Sequence, residues 1–260
     1  MHILNKNNDE TIDLKRRFSG VESLYGDSAI GCFMQAHIIV IGIGGVGSWV
    51  AEALARNAIG EITLIDMDVV AESNINRQLP ALSSTIGKNK IDVMATRIDE
   101  INPNCKVNLI DDFASEDNLS EMIDDKADYV IDCIDNSRVK SALIAWCKSR
   151  KIKIITVGGA GGQTDPSLIK VSDLSRTEHD PLLSKTRKIL RQNYGFSSNT
   201  KRRFAVPCVY STEHLKRSQR MTEAMSLSCA GGLGSSVMVT ASFGFIAVAL
   251  VLKKLLNNNG

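Results

Sequence analysis

Apolar positions along this chain keep two rhythms. Through the first 160 residues, short continuous apolar runs alternate with stretches whose apolar residues stand three or four apart. HIIVIG (37–42) predicts a short buried strand, and GVGSWVAEALARNA after it predicts a helix opened by glycine. ITLIDMD (62–68) is a second strand. In GKNKIDVMATRIDEIN (87–102), Ile91, Met94, Ile98 and Ile101 share a helix face, and Pro103 stops the helix. CKVNLI, ADYVIDCID and KIKIITVGG supply three more strands, with helical stretches around Asn118 to Asp124 and Arg138 to Lys148 between them. Alternation of this kind predicts an α/β fold: a doubly wound, Rossmann-like, mostly parallel sheet with helices on both faces.

Beyond Gly162 the rhythm changes. SLIKVSDL and FAVPCVYST read as strands, and GGLGSS (231–236) leads into VMVTASFGFIAVALVLKKLL. The uninterrupted apolar part of that run, 237–252, is 16 residues and contains Thr240 and Ser242. It falls short of the roughly 20 residues of a membrane span, so a core helix against the sheet or a subunit partner is expected. The organisation expected is an N-terminal helical segment (1–36), a nucleotide-binding core (37–162), and a substrate-binding and C-terminal helical extension of the same domain (163–260).

With 260 residues, 43% hydrophobic and 23% charged, the chain can bury a full core without metal or disulfide staples. The start, MHILNKNNDETIDLKRRF, has no apolar core of signal-peptide length. Six cysteines (32, 105, 133, 147, 208 and 229) form no C-x-x-C pair. Both features predict a cytoplasmic protein with reduced thiols. A net charge of +2 hides an asymmetry: Leu174 to Arg220 holds eleven Lys/Arg against three Asp/Glu. Charge split in this way fits a polyanionic partner or a basic solvated loop equally well.

Gly42, Gly44 and Gly47 fit the G-x-G-x-x-G turn between strand and helix. Such glycines let backbone N–H groups approach a phosphate, and the helix N-terminus adds about half a positive charge. The pyrophosphate of NAD and the triphosphate of ATP are served alike. Asp66, closing the second strand, is placed to accept from ribose hydroxyls. The residues after it discriminate. Arg77 in SNINRQ (73–78) and Lys90 in GKNK (87–90) pass back over the mouth of the strands, and Arg56 ends the first helix. Fixed cations suit a triphosphate, whose charge grows on the leaving pyrophosphate during attack at the α-phosphate. Hydride transfer gains nothing from them. Asp135, at the end of a later strand in VIDCIDNS, faces the same crevice and can hold Mg²⁺ through oxygen. Singly, Lys90 could be an exposed helix lysine and Asp135 a helix N-cap; their convergence on strand ends favours the triphosphate.

R-F-S-G (17–20), GIGGVGS, AEALARNAIG, LIDMD, SNINRQ, IGKNK, INP and DCIDN together resemble the adenylation domain of the ubiquitin-activating superfamily. VGGAGGQTDPSLIKVSDLSRTEHDPL, VPCVYSTE and MVTASFGFIAVALVLKKL extend a narrower resemblance, nearly full-length, to the tRNA-modifying dehydratases of that superfamily. The resemblance implies an ATP-binding adenylation core over 37–162, bound ATP and Mg²⁺, activation of a carboxylate, and a homodimer. By motif it assigns Gly42, Gly44 and Gly45 to phosphate, Asp66 and Asp68 to the ribose side, Asn74, Arg77 and Lys90 to the triphosphate, and Asp135 to the metal. Arg17, Arg56, Arg77 and Lys90 become the catalytic charges, Arg17 at a position that in relatives reaches into the neighbouring subunit's nucleotide site. The carboxylate implied belongs to the threonylcarbamoyl group on the adenosine beside the anticodon. Attack by a neighbouring carbamoyl atom then closes a ring and expels the activating phosphate, which leaves the protein mostly positioning and charge stabilisation.

Many relatives carry two C-x-x-C pairs for a structural zinc; with none here, no zinc is expected. Cys208 is the best candidate for a sulfur or acyl acceptor, which would bring in a cysteine desulfurase or other sulfur-acceptor system, but a buried strand residue is the commoner fate of such a cysteine. His37 and His179 show no companion carboxylate or hydroxyl pattern and are expected to be structural, and His214 is expected to add to the charge of the basic stretch. Three readings stand: an ATP-dependent tRNA dehydratase, an adenylyltransferase for the C-terminus of a ubiquitin-like sulfur-carrier protein, and an idle nucleotide-binding module. The charged set argues against the third. Lys185, Arg187, Lys188 and Arg191 on a short helix, with Lys201, Arg202 and Arg203 beyond Gly195, favour the first by offering a strip to tRNA phosphates.

Overall fold

The computed structural model describes residues 12–216 and 233–257. Two helices open it, α1 (Leu14–Tyr25) and α2 (Asp27–Gln35), followed by β1 (His37–Ile41), α3 (Gly47–Arg56), β2 (Glu61–Ile65), α4 (Lys90–Ile101) and β3 (Lys106–Ile110). A single-turn α5 (Leu119–Met122) leads to β4 (Tyr129–Asp132), α6 (Ser137–Arg150) and β5 (Ile154–Val157). The remainder is β6 (Ile169–Asp173), α7 (Pro181–Asn193), β7 (Pro207–Ser211) and α8 (Val237–Asn257). The strands form one sheet in the order β3-β2-β1-β4-β5-β7-β6, parallel throughout except for β6 against β7.

Strand order reverses between β1 and β4. Successive crossovers run one way from β1 through β2 to β3, and the other way from β4 to β5. A crevice opens at the carboxyl ends of β1 and β4, where α/β sheets bind ligands. β1, β4 and β5 are almost wholly buried, as continuous Ile/Val runs with helices on both faces demand. β3 and β6, at the two edges of the sheet, are the partly exposed strands.

Predicted strands shorten at the crevice. ADYVIDCID ends as a strand at Asp132, because Asp132 Oδ1 accepts the Ile134 N–H and turns the chain. ITLIDMD ends at Ile65 for a similar reason: Asp66 Oδ1 accepts from Asp68 N. The helix expected from 87 begins at Lys90, past Gly87, whose φ is +84°.

The length argument against a long C-terminal helix needs correction. α8 is 21 residues, because the helix runs on through Lys253 and Lys254 to Asn257, and by length and composition it could cross a membrane. Half of its most apolar stretch is buried inside the protein. Gly244 lets α8 lie against α3: a Cβ there would stand 3.0 Å from Val46 O and 3.1 Å from Trp49 Cβ. The packing is that of a core helix.

Candidate functional site

The turn after β1 is shaped by two glycines with different reasons. Gly42 has φ +86°, and a Cβ there would meet Cys133 O at 3.0 Å. Gly47, the first residue of α3, has Gly42 O within 1.8 Å of where its Cβ would be. Chain and helix can approach so closely only with hydrogen at both positions. Gly44 is different. Its nearest neighbour on that side is Gln78 Nε2 at 3.8 Å, so the space over it is open to a ligand. α3 starts without a side-chain cap, which leaves its N-terminal N–H groups and their positive end for an anion.

Asp66 locks this turn to β2. Its Oδ2 accepts from Ile43 N at 2.6 Å and its Oδ1 from Asp68 N at 2.8 Å. Burial raises its carboxyl above the usual range, against the pull of Lys90 and these N–H groups. Lys90 is buried at the start of α4 and donates to Asp68 Oδ2 at 2.7 Å. Asp66, Asp68 and Lys90 thus form one group beside the glycine turn, and Lys90 is not the exposed helix lysine the sequence also allowed. Asn74 is buried and accepts from Ala71 N at 3.0 Å, which shapes the short helical turn leading to Arg77.

Arg77 lays its stem over Gly45, whose Cβ position lies 3.5 Å from Arg77 Cγ. Its Nη1 donates to Ser73 O and Asn76 Oδ1. The Arg77 carbonyl accepts from Trp49 Nε1 at 3.0 Å, and Asn76 Nδ2 donates to Ser235 O at 2.8 Å. The loop is therefore held from below by α3 and from the side by the entry to α8, a support that no local pattern announces. Gln78 above Gly44 carries a buried Oε1 with no partner among the described residues; it belongs to the site and was missed as a ligand-facing residue.

Across the crevice, Asp135 is exposed on the loop after β4, three residues beyond Asp132. The N-cap of α6 is Asn136, which accepts from Arg138 N and Val139 N, so Asp135 is free of that duty. Behind the loop lies a charged group that is not among the residues expected from the motifs. Lys140 is fully buried and donates to Asp132 Oδ2 at 2.7 Å and to Thr156 Oγ1 at 3.1 Å. Thr156 Oγ1 also donates to Asp132 Oδ2 at 2.6 Å. A lysine inside the otherwise apolar face of α6 was the available signal. Among the described residues no three His, Cys, Asp or Glu side chains cluster to hold a metal.

Two expected catalytic arginines stand elsewhere. Arg56 is at the far end of α3, nine residues and roughly 14 Å of helix from Gly47. There its Nε bonds Glu52 Oε1 at 2.7 Å, and Arg97 holds the same carboxylate at 2.6 Å. Burial pushes Glu52 up, but the two arginines outweigh it and hold its carboxyl below the usual range. Arg56 is part of a helix-packing ion pair and not of the crevice. Arg17 Nη1 donates to Glu100 O and Ile101 O, capping the end of α4 opposite to Lys90. Within one chain it does not reach the glycine turn.

The basic strip is narrower than expected. Lys185 and Lys188 are exposed on one face of α7, and Lys201, Arg202 and Arg203 are exposed beyond it. Arg187 turns inward, where its Nη1 bonds Thr177 Oγ1 and burial lowers its guanidinium from the usual range. Arg191 lies 5.3 Å over the ring of Phe204. Neither is presented as a phosphate ligand. Arg217, Arg220 and Cys229 lie outside the described residues. Cys208 is fully buried in β7, and burial pushes its thiol far up, which removes it as an exposed acceptor.

Comparison with known proteins agrees with this geometry. The model of the ThiF family matches residues 23–260. A tRNA threonylcarbamoyladenosine dehydratase from Haemophilus influenzae is 56% identical over 246 residues, 93% of this chain and 94% of that one. The crystal structure of the Escherichia coli tRNA N6-threonylcarbamoyladenosine dehydratase in complex with ATP has TM-score 0.87 at 48% identity, covering 94% of this chain and 96% of that one. Its complex with AMP has TM-score 0.88 at 47% identity, covering 96% and 99%.

Proposed function

As the chain belongs to the ThiF family, we propose that it is an ATP-dependent tRNA threonylcarbamoyladenosine dehydratase, which activates the carboxylate of the modified adenosine and closes it into a ring with loss of water. The observation that carries this reading is an ATP-type crevice, with Gly44 open and Asp66, Lys90 and Arg77 around it, in a chain that matches such dehydratases over nearly its whole length. The sulfur-carrier alternative finds less support, since the near-full-length relatives are dehydratases.

Gly42, Gly44 and Gly45 take the phosphates, Asp66 the ribose hydroxyls, and Asn74, Arg77 and Lys90 the triphosphate. Their fixed charges meet the negative charge that grows on pyrophosphate as the carboxylate attacks the α-phosphate. The residues fit Mg²⁺ as well: Asp135 offers one exposed carboxylate where phosphates would supply the other oxygens. When bound, the metal neutralises phosphate charge. Lys90, paired with Asp68 at 2.7 Å, is held by its N-terminal place on α4 with its ammonium beside the glycine turn.

The reading includes a cytoplasmic homodimer. α1, α2 and α8 each expose a large apolar side chain, Leu24, Met34 and Phe245, available to a second copy, and Arg17 on α1 is the candidate to act across the interface. A sulfur-transfer partner finds no support at Cys208. The test is direct: purified protein, ATP, Mg²⁺ and tRNA carrying the linear modification, with nucleosides read by mass spectrometry. Loss of one water from the modified nucleoside, dependent on ATP, is expected. An unchanged nucleoside alongside consumption of ATP only with a ubiquitin-like carrier would overturn the reading.

A further inference from the structure

Two of the four histidines meet at the same end of the sheet. The rings of His179 and His214 are in edge contact, with centroids 4.2 Å apart, and both side chains are exposed. They are 35 positions apart in sequence, so only the fold joins them. His179 has φ +58°, a left-handed backbone in a residue other than glycine, immediately before Asp180, the N-cap of α7. Such conformations persist where surrounding structure imposes them.

Each histidine sits beside a buried carboxylate that anchors its segment to the loop following β5. Asp180 Oδ2 accepts from Gly159 N at 2.8 Å. Glu213 Oε2 accepts from Thr164 N at 2.9 Å and Asp165 N at 2.8 Å. β4 and β5 are parallel neighbours paired up to Asp132 and Thr156, so the loop with Gly159 and the loop with Asp135 leave the same carboxyl edge of the sheet from adjacent strands. Adjacent strands are about 4.8 Å apart. The imidazole pair is thus anchored, through Asp180 and Glu213, to the loop after β5 at the carboxyl edge, on the side of the strand-order reversal away from Asp66, the side left to the acceptor if ATP fills the glycine turn. Along the chain the pair is flanked by the charged residues Glu178, Asp180, Glu213 and Lys216. Gln163, 2% exposed in the same loop, keeps an Oε1 without a partner among the described residues.

We propose that His179 and His214 form the proton acceptor for ring closure, an assignment that rests on the dehydratase reading above. Once the carboxyl is adenylated, a carbamoyl atom attacks the carboxyl carbon and one new bond to that carbon forms. The bond from that carbon to the AMP oxygen breaks, and AMP leaves with the electron pair. Whether nitrogen or oxygen attacks, a carbamoyl N–H proton is released, and it passes to an imidazole of the pair. Positioned bases of this kind contribute about 10² to 10⁴ in rate.

The test separates the two halves of the reaction. His179→Asn retains a residue tolerant of left-handed backbone, and it is combined with His214→Ala. Activation is followed by tRNA-dependent exchange of pyrophosphate into ATP, and ring closure by single-turnover mass spectrometry of the nucleoside. The double variant is expected to activate at the wild-type rate and to cyclise at least about 100-fold more slowly, with partial recovery on adding imidazole. Unchanged cyclisation, a parallel fall in both halves, or a slow variant that imidazole does not rescue would each overturn the assignment. A wild-type protein that fails to cyclise at all would instead overturn the dehydratase reading.

Discussion

Gly47 and Gly44 look alike in the sequence and differ in what surrounds them. Gly47→Ala forces a Cβ onto Gly42 O, a contact of 1.8 Å with backbone that cannot yield, so a cost of about 3 kcal/mol or more is expected. Gly44→Ala meets only ordinary contact at 3.8 Å and should leave stability nearly unchanged while weakening ATP. Thermal unfolding of both variants, with and without ATP, checks the pair; equal destabilisation would mean that the turn is not shaped as described. Glu213 makes a second prediction at this scale. The N–H of Asp165 first, then those of Thr164 and the ammonium of Lys216, hold its carboxyl down at about 2. A depressed carboxyl contributes stability above the usual carboxylate range and loses it as pH falls toward that value. Glu213→Gln should therefore show a shallower loss of thermal midpoint than wild type over that acid window. Parallel acid limbs would show that the anchor does not depend on the carboxylate's charge.

Elements act by what they present and what they turn inward. α7 has four basic residues, but helical spacing puts Lys185 and Lys188 outward and rotates Arg187 and Arg191 toward Thr177 and Phe204. Phosphate contacts should come from the outward set with Lys201, Arg202 and Arg203. Arg202→Ala with Arg203→Ala is expected to reduce the salt slope of tRNA binding by up to about 2, since each lost phosphate contact removes about one counterion. Arg187→Ala should leave the slope unchanged. A salt series of tRNA affinity decides, and a slope that responds to Arg187 and not to the pair would reverse the assignment. α6 carries the opposite case. Lys140→Met leaves Asp132 buried and unpaired, so a loss of about 3–5 kcal/mol is expected in denaturant unfolding. A loss below about 1 kcal/mol would show that Asp132 is otherwise satisfied.

The whole molecule is one sheet whose order reverses where the nucleotide turn lies, and α8 closes it from the side of α3. Because Asp66, Lys90 and the glycine turn are held by different segments, a ligand that bridges them should stabilise the fold as a unit. ATP with Mg²⁺ is expected to raise the thermal midpoint and NAD to leave it unchanged. A rise with NAD and none with ATP would remove the adenylation chemistry altogether.

Short-range spacing carried much of this protein by itself. Alternating strand and helix periods determined the parallel α/β sheet, and the glycine turn with Asp66, Arg77, Lys90 and Asp135 was legible because strand ends bring their loops to one edge of any such sheet. Tertiary structure decided the rest. Arg56 was misplaced because a motif does not show how far a helix carries its last residue from its first. Arg187 and Arg191 faced inward because orientation around α7 depends on what packs against it. Lys140 with Asp132, and His179 with His214, are joined across segments whose proximity exists only after folding. Their chemistry depends on distances that no local pattern encodes.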